Sequence, residues 1–167
     1  MPGPAGMESR FTWLDGALIP TEQAVFPFLT AAMHYGLAVF EGIRCYDTAG
    51  GAAIFRLDDH VRRLLDSARS LDLPCPYDAR RLADACVETV AANGFRSCYL
   101  RPMFYRGYGP MGVHASGKPT MALIASWPWG AYLGEKGLKE GIRATISSWR
   151  KFPNDSMPAM AKACGQY

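Results

Sequence analysis

The sequence predicts an α+β fold in which a mostly antiparallel sheet carries two consecutive helices. Two observations support this class: strand-like segments outnumber helical ones, and the two helical segments follow each other with strands on either side. Hydrophobic residues make up 49% of the 167-residue chain and charged residues 20%, so the composition supports a packed core.

The first strands are recognised by their turns. Asp15-Gly16 separates two short apolar runs, 11–14 and 17–20, which is the pattern of a β-hairpin. The segment 35–46 is predicted as a strand with Val39, Ile43 and Cys45 on one face and Phe40, Gly42, Arg44 and Tyr46 on the other. After a turn at 47–51, a return strand is predicted at 52–55.

Two amphipathic helices are predicted next. The first carries an apolar stripe at helical spacing and ends before Pro74; its members are Leu57, Val61, Leu64, Leu65, Ala68 and Leu71. The second begins after Asp78, a good N-cap residue, and ends at Gly94.

Three further strands are predicted at 97–105, 120–127 and 142–149. A long Gly- and Pro-containing loop, 106–118, separates the first two, and loops of this length tend to be functional. The domain organisation that we predict is a flexible lead at 1–10, an α+β domain at 11–150 and an irregular segment at 151–167.

Composition excludes several classes of function. The net charge of +3 is spread without a block of like charges, so no nucleic-acid partner is expected. No apolar run approaches the roughly 20 residues of a membrane span. The five cysteines are odd in number and lack C-x-x-C spacing, which predicts free thiols, no metal site and a cytoplasmic protein.

Several polar and aromatic residues are candidates for chemistry. Tyr99 and Arg101 lie on one face of a predicted apolar strand, where a guanidinium needs an anion. That anion is either a structural carboxylate or the carboxylate of a substrate. The aromatic corner 127–132 is either a core plug or a pocket wall.

Lys162 differs from the other lysines because alanine, methionine and glycine surround it. Small apolar neighbours leave room for a bulky group and favour a neutral, nucleophilic amine, although the same residues also fit a frayed tail. Lys118, Lys136, Lys139 and Lys151 lie in polar or turn-like surroundings and are expected to be solvated. His60 is expected to face solvent from its helix.

The chain resembles the N-terminal half of branched-chain amino-acid aminotransferases, which are fold-type IV (class IV) pyridoxal-phosphate enzymes. The matching strings lie in the family's order from about Phe11 onward; they include MHYG at 33–36, VFEGIRCY at 39–46, FRL at 55–57, YLRP at 99–102, MGV at 111–113, PWGAY at 128–132, SSW at 147–149 and AK at 161–162.

The resemblance implies roles for the matching residues. Lys162 is expected to bind the cofactor aldehyde covalently and to shuttle protons, Arg63 to contact the cofactor phosphate, and Tyr167 to reach its phenolic oxygen. Six residues are expected to line the substrate site, with Tyr99 and Arg101 holding carboxylates: Tyr35, Phe40, Tyr99, Arg101, Trp129 and Tyr132.

The resemblance also implies partners and a domain context. The substrates are expected to be branched-chain L-amino acids and 2-oxoglutarate, in a homodimer or higher oligomer whose 111–113 loop closes over the neighbouring subunit's site. Residues 151–167 correspond to the interdomain connector and the start of the second domain. The family's acidic partner of the pyridine nitrogen lies beyond the lysine, in a second domain. We therefore expect 1–167 alone to bind the cofactor poorly, and the segment after Phe152 to be mobile for want of a docking surface.

Three alternatives remain open at this level. A D-amino-acid aminotransferase and an aminodeoxychorismate lyase share the fold and the lysine. The third is a truncated, non-catalytic paralogue that acts as a dimeric scaffold.

Overall fold

A computed structural model describes residues 9–112, 117–130, 134–153 and 155–167. Within these ranges the strands and helices follow in the order β1 (Phe11–Leu14), β2 (Ala17–Pro20), α1 (Ala31–Tyr35), β3 (Ala38–Phe40), β4 (Ile43–Thr48), β5 (Gly51–Ile54), α2 (Leu57–Ser70), α3 (Ala79–Asn93), β6 (Cys98–Arg106), β7 (Thr120–Trp127) and α4 (Gly134–Glu140).

The strands form one antiparallel sheet in the order β2-β1-β7-β6-β4-β5, with β3 also paired to β6. The predicted hairpin is confirmed, and Asp15 and Gly16 both take positive φ values of 42° and 101° at its turn. The predicted fold class is confirmed as well, because α2 and α3 follow each other between β5 and β6.

The predicted strand at 35–46 is interrupted: Tyr35 is the last residue of α1, and the rest of the segment contains β3 and the first part of β4. Strands β3 and β4 pair with β6 in one continuous register, with Phe40 opposite Met103 and Ile43 opposite Leu100. Glu41 therefore lies opposite Pro102, which has no N–H to complete the ladder. A single bond from the Glu41 N–H to the Pro102 carbonyl, 2.8 Å long, spans this break.

Helices α2 and α3 pack on one face of the sheet. The helix stripe around Val61 and Leu64 meets the predicted strand face of Val39, Ile43 and Cys45, and all of these side chains are buried. The Asp78 side chain caps α3 by accepting from the Arg81 N–H, and Gly94 ends it with a φ of 67°, as predicted.

The three cysteines in regular structure belong to this core. Cys45, Cys86 and Cys98 are fully buried and free. Burial raises the pKa of the Cys86 and Cys98 thiols to about 12, so both remain neutral and pack as small hydrophobic side chains.

Two predictions about the second half of the chain are wrong. Residues 142–149 do not form a strand; Ile146 and Trp149 are 98% and 90% exposed, and the described part of the chain offers no neighbouring strand to complete their hydrogen bonds. Lys118 is not solvated but 4% exposed, and its ammonium donates to the Gly112 carbonyl at 3.0 Å.

Candidate active site

Lys162 lies where the last part of the chain docks on the sheet edge. Its carbonyl accepts from the Phe40 N–H at 3.1 Å, and its own N–H donates to the Ser67 hydroxyl of α2 at 3.0 Å. Its neighbours Ala161 and Ala163 are 3% and 0% exposed. The expectation that the segment after Phe152 lacks a docking surface is therefore wrong for these residues, because β3 and α2 supply one.

The Lys162 amine lies in an aromatic setting. Nζ donates to the Tyr167 hydroxyl at 2.8 Å and lies 4.6 Å from the centre of the Phe40 ring. The Phe40 and Tyr167 rings are themselves 5.2 Å apart. The structure thus brings three of the predicted site residues together around one partly exposed amine.

Phe40 links this amine to Arg101. The Arg101 guanidinium carbon lies 4.4 Å from the centre of the Phe40 ring, and Nη2 donates to the Tyr99 hydroxyl at 3.3 Å. The Arg101 Nε is buried without a hydrogen-bond partner, and no carboxylate pairs with this guanidinium among the described residues. Of the two interpretations of Arg101, the geometry favours capture of an external carboxylate.

Aromatic rings form a wall beside Arg101. The Tyr99 ring lies 4.5 Å from that of Trp129 and 5.1 Å from that of Trp127. Gly42 makes this packing possible, since a Cβ at that position would overlap the Tyr99 hydroxyl. The aromatic corner is therefore a partly exposed wall, and Trp127 joins the residues predicted from the sequence.

Arg63, on α2, is held by Glu41 at the break between β3 and β4. Its Nε donates to Glu41 Oε1 at 2.6 Å and its Nη2 to Glu41 Oε2 at 2.7 Å. These hydrogen bonds and the Glu41 charge raise the pKa of Arg63 against its partial desolvation, and Tyr167 adds a smaller electrostatic effect of the same sign. Arg63 also lies one turn of α2 before Ser67, whose hydroxyl accepts a hydrogen bond from the Lys162 N–H.

Glu41 and His60 are residues whose role the sequence did not reveal. Glu41 is fully buried, and His60 Nδ1 donates to its Oε2 at 2.8 Å. His60 is 20% exposed in its side chain, so the expectation of a solvent-facing histidine is wrong; the ring turns inward because the buried carboxylate accepts its hydrogen bond. The signal that could have found Glu41 was a lone charge inside the apolar run 39–43.

The remaining predicted residues lie elsewhere or outside the described part. The Tyr35 ring contacts His34 and Lys118 rather than the Lys162 amine. Tyr132 lies outside the described residues, as does Val113 of the predicted closing loop. The roles of all the predicted site residues stay predictions.

The described ranges lack two kinds of feature. No group of three His, Cys, Asp or Glu side chains there is arranged to hold a metal ion. None of the helices in these ranges is long and apolar enough to cross a bilayer.

Comparisons with known proteins agree on one family. The branched-chain-amino-acid aminotransferase of Escherichia coli strain K12 is 40% identical over 161 residues, which are 96% of this chain and 52% of that relative. The crystal structure of the Escherichia coli enzyme superposes with a TM-score of 0.92 at 39% identity, over 96% of this chain and 53% of that one.

Two further structures match similar shares of both chains. The branched-chain aminotransferase of Thermoproteus uzoniensis with norvaline superposes with a TM-score of 0.87 at 42% identity, covering 95% of this chain and 52% of the other. The PLP-form of the Thermobaculum terrenum branched-chain amino acid aminotransferase superposes with a TM-score of 0.82 at 29% identity, covering 98% of this chain and 53% of the other.

The share of the relatives that is matched and the family model define how this chain is related to these proteins. The chain spans about half the length of the curated relatives it matches. The family model for amino-transferase class IV matches residues 38–167, and the chain belongs to that family.

Proposed function

We propose that these residues form part of a pyridoxal 5′-phosphate-dependent aminotransferase that transfers the amino group of branched-chain L-amino acids to 2-oxoglutarate. One observation supports this most directly: the Lys162 amine lies 2.8 Å from the Tyr167 hydroxyl and shares the Phe40 ring with the Arg101 guanidinium. An amine, a phenol and a guanidinium that lacks a carboxylate partner in the described ranges suit an aldehyde cofactor and a carboxylate substrate.

The donor set fits the cofactor. Lys162 would hold its aldehyde, Tyr167 its phenolic oxygen and Arg63 its phosphate, for which a planar guanidinium is well suited. When bound, pyridoxal phosphate supplies an electron sink for the pair of electrons left on the substrate α-carbon.

The remaining steps belong to side chains of this chain. Lys162 Nζ, once free, takes the proton from the substrate α-carbon and returns one, with the Tyr167 hydroxyl beside it as a hydrogen-bond partner. Arg101 binds a substrate carboxylate through its remaining N–H groups. Phe40, Tyr99 and Trp129 exclude water and receive an aliphatic side chain.

The decisive experiment replaces the amine in the complete gene product. Lys162→Ala should lower transamination of L-leucine and L-valine with 2-oxoglutarate by about a thousandfold or more, because it removes the covalent anchor and the proton carrier together. Lys151→Ala is the matched control, since this lysine also lies by Tyr167, 5.2 Å from its ring. Undiminished turnover in Lys162→Ala would overturn the proposal.

Substrate comparison separates the alternatives. Activity on L-leucine and L-valine supports the branched-chain enzyme, activity on D-alanine instead supports the D-amino-acid aminotransferase, and pyruvate release from aminodeoxychorismate supports the lyase. For residues 1–167 alone, we expect weak cofactor binding; a stoichiometric, borohydride-trapped adduct at Lys162 would contradict that expectation.

We also propose a cytoplasmic homodimer. Apolar side chains are exposed along the segment before and within α1, including Val25 at 75% and Phe28 at 73%. Beside them, an apolar cavity of about 210 Å³ is lined by Phe26, Met33, Met103 and Tyr105 among others. A second copy of the chain is the proposed occupant of this surface. The five free cysteines fit a reducing compartment.

A further inference from the structure

The buried Glu41 is a carboxylate that the proposed chemistry does not use. It is fully buried, whereas the Arg63 side chain that it holds is 50% exposed. Three hydrogen bonds, two from Arg63 and one from His60, occupy both of its oxygens. Burying a charged pair costs desolvation free energy, and replacing both partners by hydrophobic residues often gives a fold that is equally stable.

The geometry leaves one side of the guanidinium free. A guanidinium has five N–H groups in a fixed plane, and Glu41 takes one at Nε and one at Nη2. The three others, at Nη1 and Nη2, form a second edge that can bind an anion bidentately. The Arg63 side chain as a whole is half exposed, so a ligand can reach this residue.

The strand break relates this edge to the Lys162 amine. Phe40 ends β3 and Glu41 follows it directly, so the two side chains leave the chain at adjacent positions. Phe40 contacts the Lys162 amine and binds the Lys162 carbonyl, while Glu41 fixes Arg63. Glu41 is itself fixed by its N–H bond to Pro102 on β6. Two adjacent residues thus contact the Lys162 amine and the Arg63 guanidinium.

We propose that Glu41 is a positioning residue for phosphate binding: with His60 behind it, Glu41 holds Arg63 so that its free edge faces the phosphate of the aldehyde cofactor bound at Lys162. This inference rests on the proposed function. Pre-ordering a long, rotamer-rich side chain removes an entropic cost that binding would otherwise meet.

A purely electrostatic role predicts the opposite sign. The Glu41 charge partly cancels that of Arg63, so its removal alone would strengthen the attraction for phosphate. If Glu41 acts by positioning, its removal weakens phosphate recognition despite the gain in positive charge. The direction of the change therefore separates the two roles.

The test measures phosphate selectivity in the complete gene product. The association constants for pyridoxal phosphate and for unphosphorylated pyridoxal are measured in the wild type and in Glu41→Gln. The constant for pyridoxal phosphate divided by that for pyridoxal isolates the phosphate contribution from effects on folding and on the amine. We expect Glu41→Gln to lower this ratio by roughly three- to tenfold. Pyridoxal binding itself should stay unchanged.

Further variants keep the result decisive if Glu41→Gln folds poorly. Glu41→Asp keeps the charge but shortens the reach, and Arg63→Lys keeps the charge but removes the fork; both should lower the ratio. Asp59→Asn is the matched control: Asp59 lies on the same helix as Arg63 but pairs with Arg56 and Arg62, so its substitution should leave the ratio unaffected. An unchanged or higher ratio in the Glu41 variants would refute the positioning role. Loss of adduct formation at Lys162 in the wild type with both aldehydes would instead refute the proposed function.

Discussion

At the scale of single residues, the candidate site contains three ionisable side chains in very different surroundings. Lys162 is partly exposed beside a phenol, Arg101 lies among aromatic rings, and Glu41 is fully buried. Burial raises the pKa of Glu41, but the hydrogen bonds and charges of Arg63 and His60 outweigh it, so the pKa of this carboxyl lies below its usual range. Glu41 is therefore ionised at neutral pH and contributes to stability in that form.

The lowered pKa predicts an acid-dependent stability. A depressed folded-state pKa stabilises the fold above the unfolded value of about 4.3 and ceases to do so as pH falls through the folded value. At neutral pH, Glu41→Gln should lower the free energy of unfolding by about 1–3 kcal/mol, less than for a fully buried pair because Arg63 is half exposed. Urea unfolding from pH 7 down to pH 3 measures this difference.

The difference should shrink as the solution becomes more acidic, since wild-type Glu41 then takes up a proton. The exposed Glu22 is the control position, and Glu22→Gln should stay within about 0.5 kcal/mol of the wild type. A Glu41→Gln deficit that is constant across the whole range would contradict the assignment of the lowered pKa.

At the scale of elements, the break between β3 and β4 organises the site. Pro102 interrupts the ladder at Glu41, and the next residue, Gly42, leaves space for the Tyr99 ring. At this break, Phe40 contacts the amine and Glu41 binds Arg63 on α2. The docked residues 161–163 complete this edge, where Ala163 bridges to Val39.

The close approach of the Tyr99 hydroxyl to Gly42 predicts that a larger residue at position 42 destabilises the fold. Gly42→Ala should lower the free energy of unfolding by about 1–3 kcal/mol, because the added methyl forces the Tyr99 ring away from Trp127 and Trp129. Gly50→Ala is the matched control, since a Cβ there makes only an ordinary contact of 3.9 Å. Denaturant unfolding measures both, and equal effects of the two substitutions would contradict the packing argument.

At the scale of the whole molecule, two exposed apolar surfaces stand out in the described ranges. One surrounds α1 and includes Phe28; the other lies at 138–160 and includes Ile146, Trp149 and Met160. Large exposed apolar patches mark interaction sites. The chain also spans about half the length of its curated relatives.

These surfaces predict self-association of the 167-residue polypeptide. Sedimentation velocity should show a mass that rises with concentration, because association removes apolar area from water. Phe28→Lys and Trp149→Lys test the two surfaces separately: a loss of association with Phe28→Lys identifies the α1 surface proposed for the dimer. A monomer at every concentration would contradict the prediction.

The sequence by itself determined the hairpin, both long helices with the caps of α3, the main sheet strands and the family resemblance. These features follow from local turn chemistry, periodicity and short motifs, which need no knowledge of distant contacts. It also singled out Lys162 and Arg101, since a lysine among small residues and an arginine on an apolar strand are unusual locally.

Only the tertiary structure decided how Glu41, His60 and Arg63 combine, that Lys118 is buried, and that 142–149 lacks a strand partner in the described ranges. Each of these depends on which groups meet from distant parts of the chain: a carboxylate on the sheet with a helix, an ammonium with a carbonyl of its own loop, a strand with a neighbour. Periodicity shows which face a residue occupies, whereas hydrogen-bond and charge partners are fixed only when the elements pack.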